Sequence, residues 1–192
     1  MQRLDAAFDI RRESIRLDRE KPYVELIDGL EIPKLSPMTR HGLLQSEMIA
    51  IFRRHFGDRG IVGPEIRVWL ETHPPTSLVP DVAFISFERM DGLSPDDAER
   101  PPFAPDVVVE VRPPADRERN VARKIELYLT HGAKLVLDVK PGQRKIVAYD
   151  GTSTRVFGSG ETFAHEAAAE LTFAVDAYFD SPRYRRRDGT ER

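Results

Sequence analysis

A run of β-branched aliphatic residues with one carboxylate inside it constrains this chain more than any other stretch. Val107, Val108, Val109 and Val111 are the residues of a strand covered on both faces, yet Glu110 lies among them and Arg112 closes the run. After the Pro113-Pro114 break, Asp116 is a good N-cap for a helical pattern that reaches His131, and Gly132 is placed to end it. The best apolar stripe of that helix runs through Val121, position 124, Ile125 and Tyr128, and position 124 is Lys. A carboxylate aimed into a sheet and a cation aimed at it from the next helix must pair with one another or with a metal, because an isolated buried ion costs several kcal/mol.

Upstream, residues 1–20 are charged with thin helical punctuation and read as an arm or short helix. The stretch YVELIDGLEIPKL carries Asp28-Gly29 between two apolar runs, a strong hairpin signal, with Glu25 inside the first strand. Ser36-Pro37 opens a helix, and Leu44, Met48, Ile51, Phe52 and His55 fall at helical spacing, with His41 at its start on nearly the same side. Residues 61–72 alternate as a half-buried strand, Ile66, Val68 and Leu70 on one face and Arg67 and Trp69 on the other. Past the His73-Pro74-Pro75 turn, SLVPDVAFIS puts a second carboxylate, Asp81, into an apolar run. Residues 87–104 read as a long surface loop. Beyond the central strand and helix, residues 134–139 and 145–149 form a hairpin about Pro141-Gly142, residues 154–174 suggest edge structure, and 181–192 read as a disordered basic tail.

A chain of 192 residues suits a single core, here placed at residues 21–180. There is no Cys, which removes disulfides, thiolate nucleophiles and Cys-based zinc sites together and leaves carboxylates, His and Lys for chemistry. The net charge of −3 advertises no general attraction to nucleic acid, so any such role needs a local basic surface. No apolar stretch approaches the roughly 20 residues that span a bilayer, and Asp5 and Asp9 stand where a signal peptide would be apolar, which points to the cytoplasm.

If the strands of Asp81 and Glu110 pair, their carboxylates come within reach of one divalent ion, because neighbouring strands lie about 4.8 Å apart. Two carboxylates with waters and substrate oxygens suit Mg²⁺, and phosphodiester hydrolysis suits that ligand set, with Lys124 orienting the attacking water or stabilising phosphate charge. The pattern YVELIDG, SPMTRH, VPDVAF, PDVVVEV and VARKIELYLTHG resembles the Uma-two family of restriction-endonuclease-like proteins, within the PD-(D/E)XK nuclease superfamily, over roughly residues 20–180. That resemblance implies an α/β fold with a mixed central β-sheet flanked by helices, and cleavage of DNA with Mg²⁺ or substituting Mn²⁺. It implies Pro80-Asp81 as the PD element, Glu110 as the (D/E) element and Lys124 as the motif lysine moved onto the following helix. Glu25 and His41 match further polar positions of the family. Related nucleases often work as homodimers. The chain departs from the family at Pro113-Pro114-Ala115, where Ser-Pro-Ser is usual, and at Leu135-Val136-Leu137, where an aromatic is usual.

Arg112, two positions after Glu110 and on the same strand face, can neutralise phosphate but cannot move protons at neutral pH. Plainer readings accompany each residue: Asp81 as a turn cap, Glu110 in a structural ion pair, Lys124 with its stem packed and its ammonium in water, His41 and Glu25 as satisfied structural groups. The competing function is a catalytically silent nucleic-acid-binding or assembly module that keeps the fold. A serine hydrolase is a weak third reading, since there is no G-x-S-x-G elbow and no Ser has an evident His partner in sequence context.

Overall fold

The protein is seen in a computed structural model that describes Asp9, Arg16–Leu17 and residues 23–34, 38–112 and 118–180. The N-terminal arm apart from those residues, the Ser36-Pro37 helix start, the Pro113-Pro114 break, the Asp116 cap and the basic tail lie outside the described residues.

The aliphatic run forms β7 (Val107–Val111), all five residues of which are buried. Its neighbours are β6 (Val82–Ser86), antiparallel, and β8 (Leu135–Lys140), parallel. A parallel pair needs a crossover, and α4 (Glu118–Thr130) supplies it. With β3 (Gly60–Pro64), β9 (Lys145–Tyr149) and β10 (Thr154–Phe157) they make a six-stranded mixed sheet in the order β10-β9-β8-β7-β6-β3.

Helices cover both faces, which is why β6, β7 and β8 are almost continuously apolar instead of alternating. On one face α1 (Thr39–Phe56) sets Leu44, Met48, Ile51, Phe52 and Phe56 against Val82, Phe84, Val107, Val109, Val111, Leu135, Leu137 and Val139. Phe56 stacks on Phe84 with ring centroids 4.3 Å apart, and Phe52 meets Phe56 edge-on. On the other face α4 contributes Val121, Ile125 and Tyr128 to a cluster with Val108 and Val136. The helical stripe read from the sequence is therefore the buried one.

A second, four-stranded sheet lies against α4. Its order is β2-β1-β5-β4, from β1 (Val24–Ile27), β2 (Leu30–Pro33), β4 (Val68–Thr72) and β5 (Pro75–Leu78), and it adds Ile27, Val68, Leu70 and Leu78 to the α4 cluster. The β1–β2 hairpin turns at Asp28 and Gly29, both at positive φ, the geometry that favours Asp-Gly in a two-residue loop. A small hairpin of β11 (Thr162–His165) and β12 (Ala168–Ala174) and a short helix, α5 (Val175–Phe179), close the α1 side.

Three expectations are corrected. Residues 61–72 are two strands in two different sheets, separated at Glu65, whose φ is positive; Val68, Trp69 and Leu70 are all buried because β4 is covered on both sides. The run SLVPDVAFIS is likewise divided: Pro80 interrupts the ladder, and the chain passes from β5 to β6 through Val79, Pro80 and Asp81. Residues 87–104 are not plain loop, since they hold α2 (Phe87–Met90) and α3 (Pro95–Glu99), the latter capped by the Ser94 hydroxyl accepting the Asp97 N–H.

Phe52 is fully buried where α1 meets the sheet. Phe52→Ala should lower unfolding free energy by about 3–5 kcal/mol with an unchanged urea m-value. A loss under about 1 kcal/mol would show that α1 does not pack as described.

Candidate active site

The passage from one sheet to the other is where the charged residues gather. In the β6–β7 ladder Val82 faces Val109, and continuing that register sets Asp81 across from Glu110. Oδ2 of Asp81 accepts the Val111 N–H at 2.7 Å, and the Asp81 carbonyl accepts the Gln45 amide at 2.8 Å. In the parallel ladder Glu110 pairs with Asp138. Because Val82, Val109, Val111, Leu137 and Val139 all face α1, alternation sends Asp81, Glu110 and Asp138 to the α4 face, as a row across three neighbouring positions of the sheet.

Each acid in the row is met by a cation from another element. The Lys124 ammonium lies 2.7 Å from Glu110 Oε1 and 3.0 Å from Glu25 Oε1. One turn further along α4, the Tyr128 hydroxyl donates to the same Glu110 Oε1 at 2.8 Å. Glu25 Oε1 also accepts the Val79 N–H at 2.9 Å. Just past β2, the Lys34 ammonium lies 2.7 Å from Asp81 Oδ1 and donates to the Val79 carbonyl at 2.7 Å. His41, in the first turn of α1, brings Nε2 to 3.4 Å from Asp81 Oδ1. Asp138, with no exposed surface, takes a two-pronged contact from Arg112 at 3.1 and 2.5 Å.

Burial and pairing pull the acids in opposite directions. Burial pushes the Asp81 carboxyl up, but the charge of Lys34 and the hydrogen bond and charge of His41 outweigh it and hold the group well below the usual carboxylate range. For Glu110 burial wins: the carboxyl is pushed up to about 7, with Lys124 opposing and the charges of Asp81 and Glu25 adding to the rise. Burial alone would lower Lys124, yet Glu110 and Glu25 raise it, so it stays a cation throughout the physiological range. The Tyr128 phenol is driven far up by burial and then by Glu110, and remains a hydrogen-bond donor.

Whether these residues suit a divalent ion turns on which oxygens are spoken for. Oε1 of Glu110 serves Lys124 and Tyr128, while Oε2 has no hydrogen-bond partner among the described residues. Oδ2 of Asp81 is committed to Val111, and Oδ1 faces Lys34 and His41. Two hard carboxylate oxygens, one from each of two paired strands, fit Mg²⁺ or Mn²⁺. Among the described residues no group of three or more His, Asp or Glu is arranged to hold a metal, so water, backbone or substrate must complete any shell.

Of the residues singled out from the sequence, Asp81, Glu110, Lys124, Glu25 and His41 meet in one cluster. Arg112 faces Asp138 instead of Glu110. Lys34, Tyr128 and Asp138 were not foreseen as polar members. Asp138 carried the same signal as Glu110, an acid inside an aliphatic run, and the Tyr128 hydroxyl was a buried donor in need of an acceptor. Lys34 carried no signal beyond its place after the hairpin.

Comparison with known proteins bears on the family and the fold. The family model Uma2, described as "Putative restriction endonuclease", matches residues 11–176. The fold is shared with a solved structure described as a "putative nuclease belonging to DUF820" from Anabaena variabilis ATCC 29413, with a TM-score of 0.74 and 24% sequence identity, covering 88% of this chain and 96% of that one. No curated protein matches the sequence. Among the described residues no helix is long and apolar enough to cross a membrane.

The raised Glu110 fixes the sign of a pH effect. Its folded value of about 7 exceeds its ordinary 4.5, so the contribution is fully present below about pH 4.5 and is lost as pH rises through about 7. Asp81 is shifted the other way, so its contribution is lost only as pH falls below its ordinary 3.8. The stability of wild type relative to Glu110→Gln should therefore fall between about pH 4.5 and about pH 7 and level off above, in urea titrations. A difference that is flat or rising over that interval would refute the assignment.

Proposed function

The chain belongs to the Uma2 family of restriction-endonuclease-like proteins, and on that premise we propose that it is a divalent-metal-dependent endonuclease hydrolysing phosphodiester bonds in DNA. The observation that carries the reading is the opposition of Asp81, just before β6, and Glu110 in β7, with the Val111 N–H on Asp81 and the Lys124 ammonium 2.7 Å from Glu110. Asp81, through Oδ1, and Glu110, through Oε2, would hold Mg²⁺, with Mn²⁺ as a substitute. Held by these two carboxylates, such an ion would supply Lewis-acid polarisation of a phosphoryl oxygen and activation of a water.

The chain's own groups do the rest. Lys124 is held between Glu25 and Glu110, so its charge is fixed in place before substrate arrives and can steady the negative charge that builds on the phosphate. It cannot serve as a general base, because its neighbours keep it protonated. Tyr128 fixes the Glu110 carboxylate from the side away from Oε2 and so orients the free oxygen. His41, beside Asp81 at the start of α1, supports that carboxylate.

A second reading has one observation in its favour: Asp81 and Glu110 already have cationic partners inside the chain. A silent nucleic-acid-binding module would be stable in that state. Such a module would bind DNA with a salt-dependent affinity and without turnover.

Cleavage of supercoiled plasmid in Mg²⁺ or Mn²⁺, with EDTA as control, separates the two. Wild type should cut, Glu110→Gln should not, and Lys124→Met should lose on the order of 10²–10³ in rate while still binding DNA. Undiminished cutting by Glu110→Gln would sink the nuclease assignment.

A further inference from the structure

We propose that Lys34 is a built-in competitor for the divalent cation: its ammonium sits at the Asp81 oxygen that the metal would use, and it thereby sets the metal concentration at which the site fills. The inference rests on the reading of Asp81 and Glu110 as metal ligands.

The two lysines of the cluster are placed differently with respect to the available oxygens. Lys124 takes Oε1 of Glu110, an oxygen it shares with Tyr128, and leaves Oε2 open. Lys34 forms an ion pair with Oδ1 of Asp81 at 2.7 Å, and the other oxygen, Oδ2, already accepts the Val111 N–H at 2.7 Å at the junction between β6 and β7, which leaves Oδ1 the more open of the two to a metal. Freeing Oδ2 would mean parting the strands, whereas freeing Oδ1 means moving one flexible side chain. A cation bound about 2.1 Å from Oδ1 would crowd and repel an ammonium already at hydrogen-bonding distance from the same oxygen. Both partners are shielded from water, with side-chain exposures of 14% for Lys34 and 2% for Asp81, so that repulsion is weakly screened.

Charge balance points the same way. Around the junction, the carboxylates of Glu25, Asp81 and Glu110 face the ammonium groups of Lys34 and Lys124. Lys34 thus supplies one of the two positive charges that offset three acids in the absence of metal. Removing it leaves a deficit that a divalent ion is suited to fill. The second anchor of Lys34, its hydrogen bond to the Val79 carbonyl at 2.7 Å, keeps the ammonium at its post and adds to what a metal must displace. Its four-carbon stem gives it room to swing aside once displaced.

Calorimetric titration of Mn²⁺ into the full-length protein without DNA tests this, alongside the Mn²⁺-induced rise in melting temperature. Lys34→Met and Lys34→Gln, the latter keeping a donor for the Val79 carbonyl, should each lower the Mn²⁺ Kd by about tenfold and enlarge the thermal shift. The gain should vanish when Asp81→Asn is added. An unchanged or weaker Kd in both Lys34 variants overturns the proposal while leaving the metal site intact. Wild-type Mn²⁺ affinity that is indifferent to Asp81→Asn overturns the ligand assignment itself, and the proposal with it.

Discussion

The Lys124 ammonium, shared between Glu25 and Glu110, is the contact on which the arrangement depends. It rises from the crossover helix, reaches the central strand of the larger sheet and touches the first strand of the smaller one, so a single charge joins three separate pieces of the fold. Buried ion pairs rarely add net stability over a well-packed apolar alternative, but breaking one by removing a partner is costly because it strands the other charge. Here two carboxylates would be stranded at once. The cluster thus adds little net stability over an apolar packing, yet none of its charges can be removed alone without stranding another.

The peptide between the sheets shows how closely architecture and site are tied. Val79 donates its N–H to Glu25 and gives its carbonyl to Lys34, and two residues later Asp81 takes the Val111 N–H. A segment that Pro80 excludes from regular pairing would otherwise bury backbone groups without partners. Charged side chains of the cluster thus complete the hydrogen bonding of this irregular buried passage.

Much of this was legible in the sequence wherever a local rule and the tertiary environment agreed. The Asp28-Gly29 turn, the stripe of α4 and the double-sided burial of β7 and β8 follow directly from turn chemistry, period and run length. Glu110 and Lys124 stood out because each breaks its own pattern. Two of the three errors came where one apolar run served two sheets: neither the divide at Glu65 nor the one at Pro80 changes the hydrophobic period, and only the positive φ of the first and the missing N–H of the second mark them. Lys34 was invisible for another reason, since a lone lysine after a hairpin looks solvated until the strand carrying its acid is placed beside it.

The alignment of Asp81, Glu110 and Asp138 across adjacent strands also bears on how the sheet chooses its pairing. Valine-rich strands are nearly interchangeable along their length and by themselves specify their offset weakly. Sliding β8 by one position against β7 would turn Asp138 into the aliphatic layer under α1 and part it from Arg112. The polar row therefore acts as a set of alignment marks: it makes a one-residue slip expensive, and the buried charges double as the code by which otherwise featureless strands find their places.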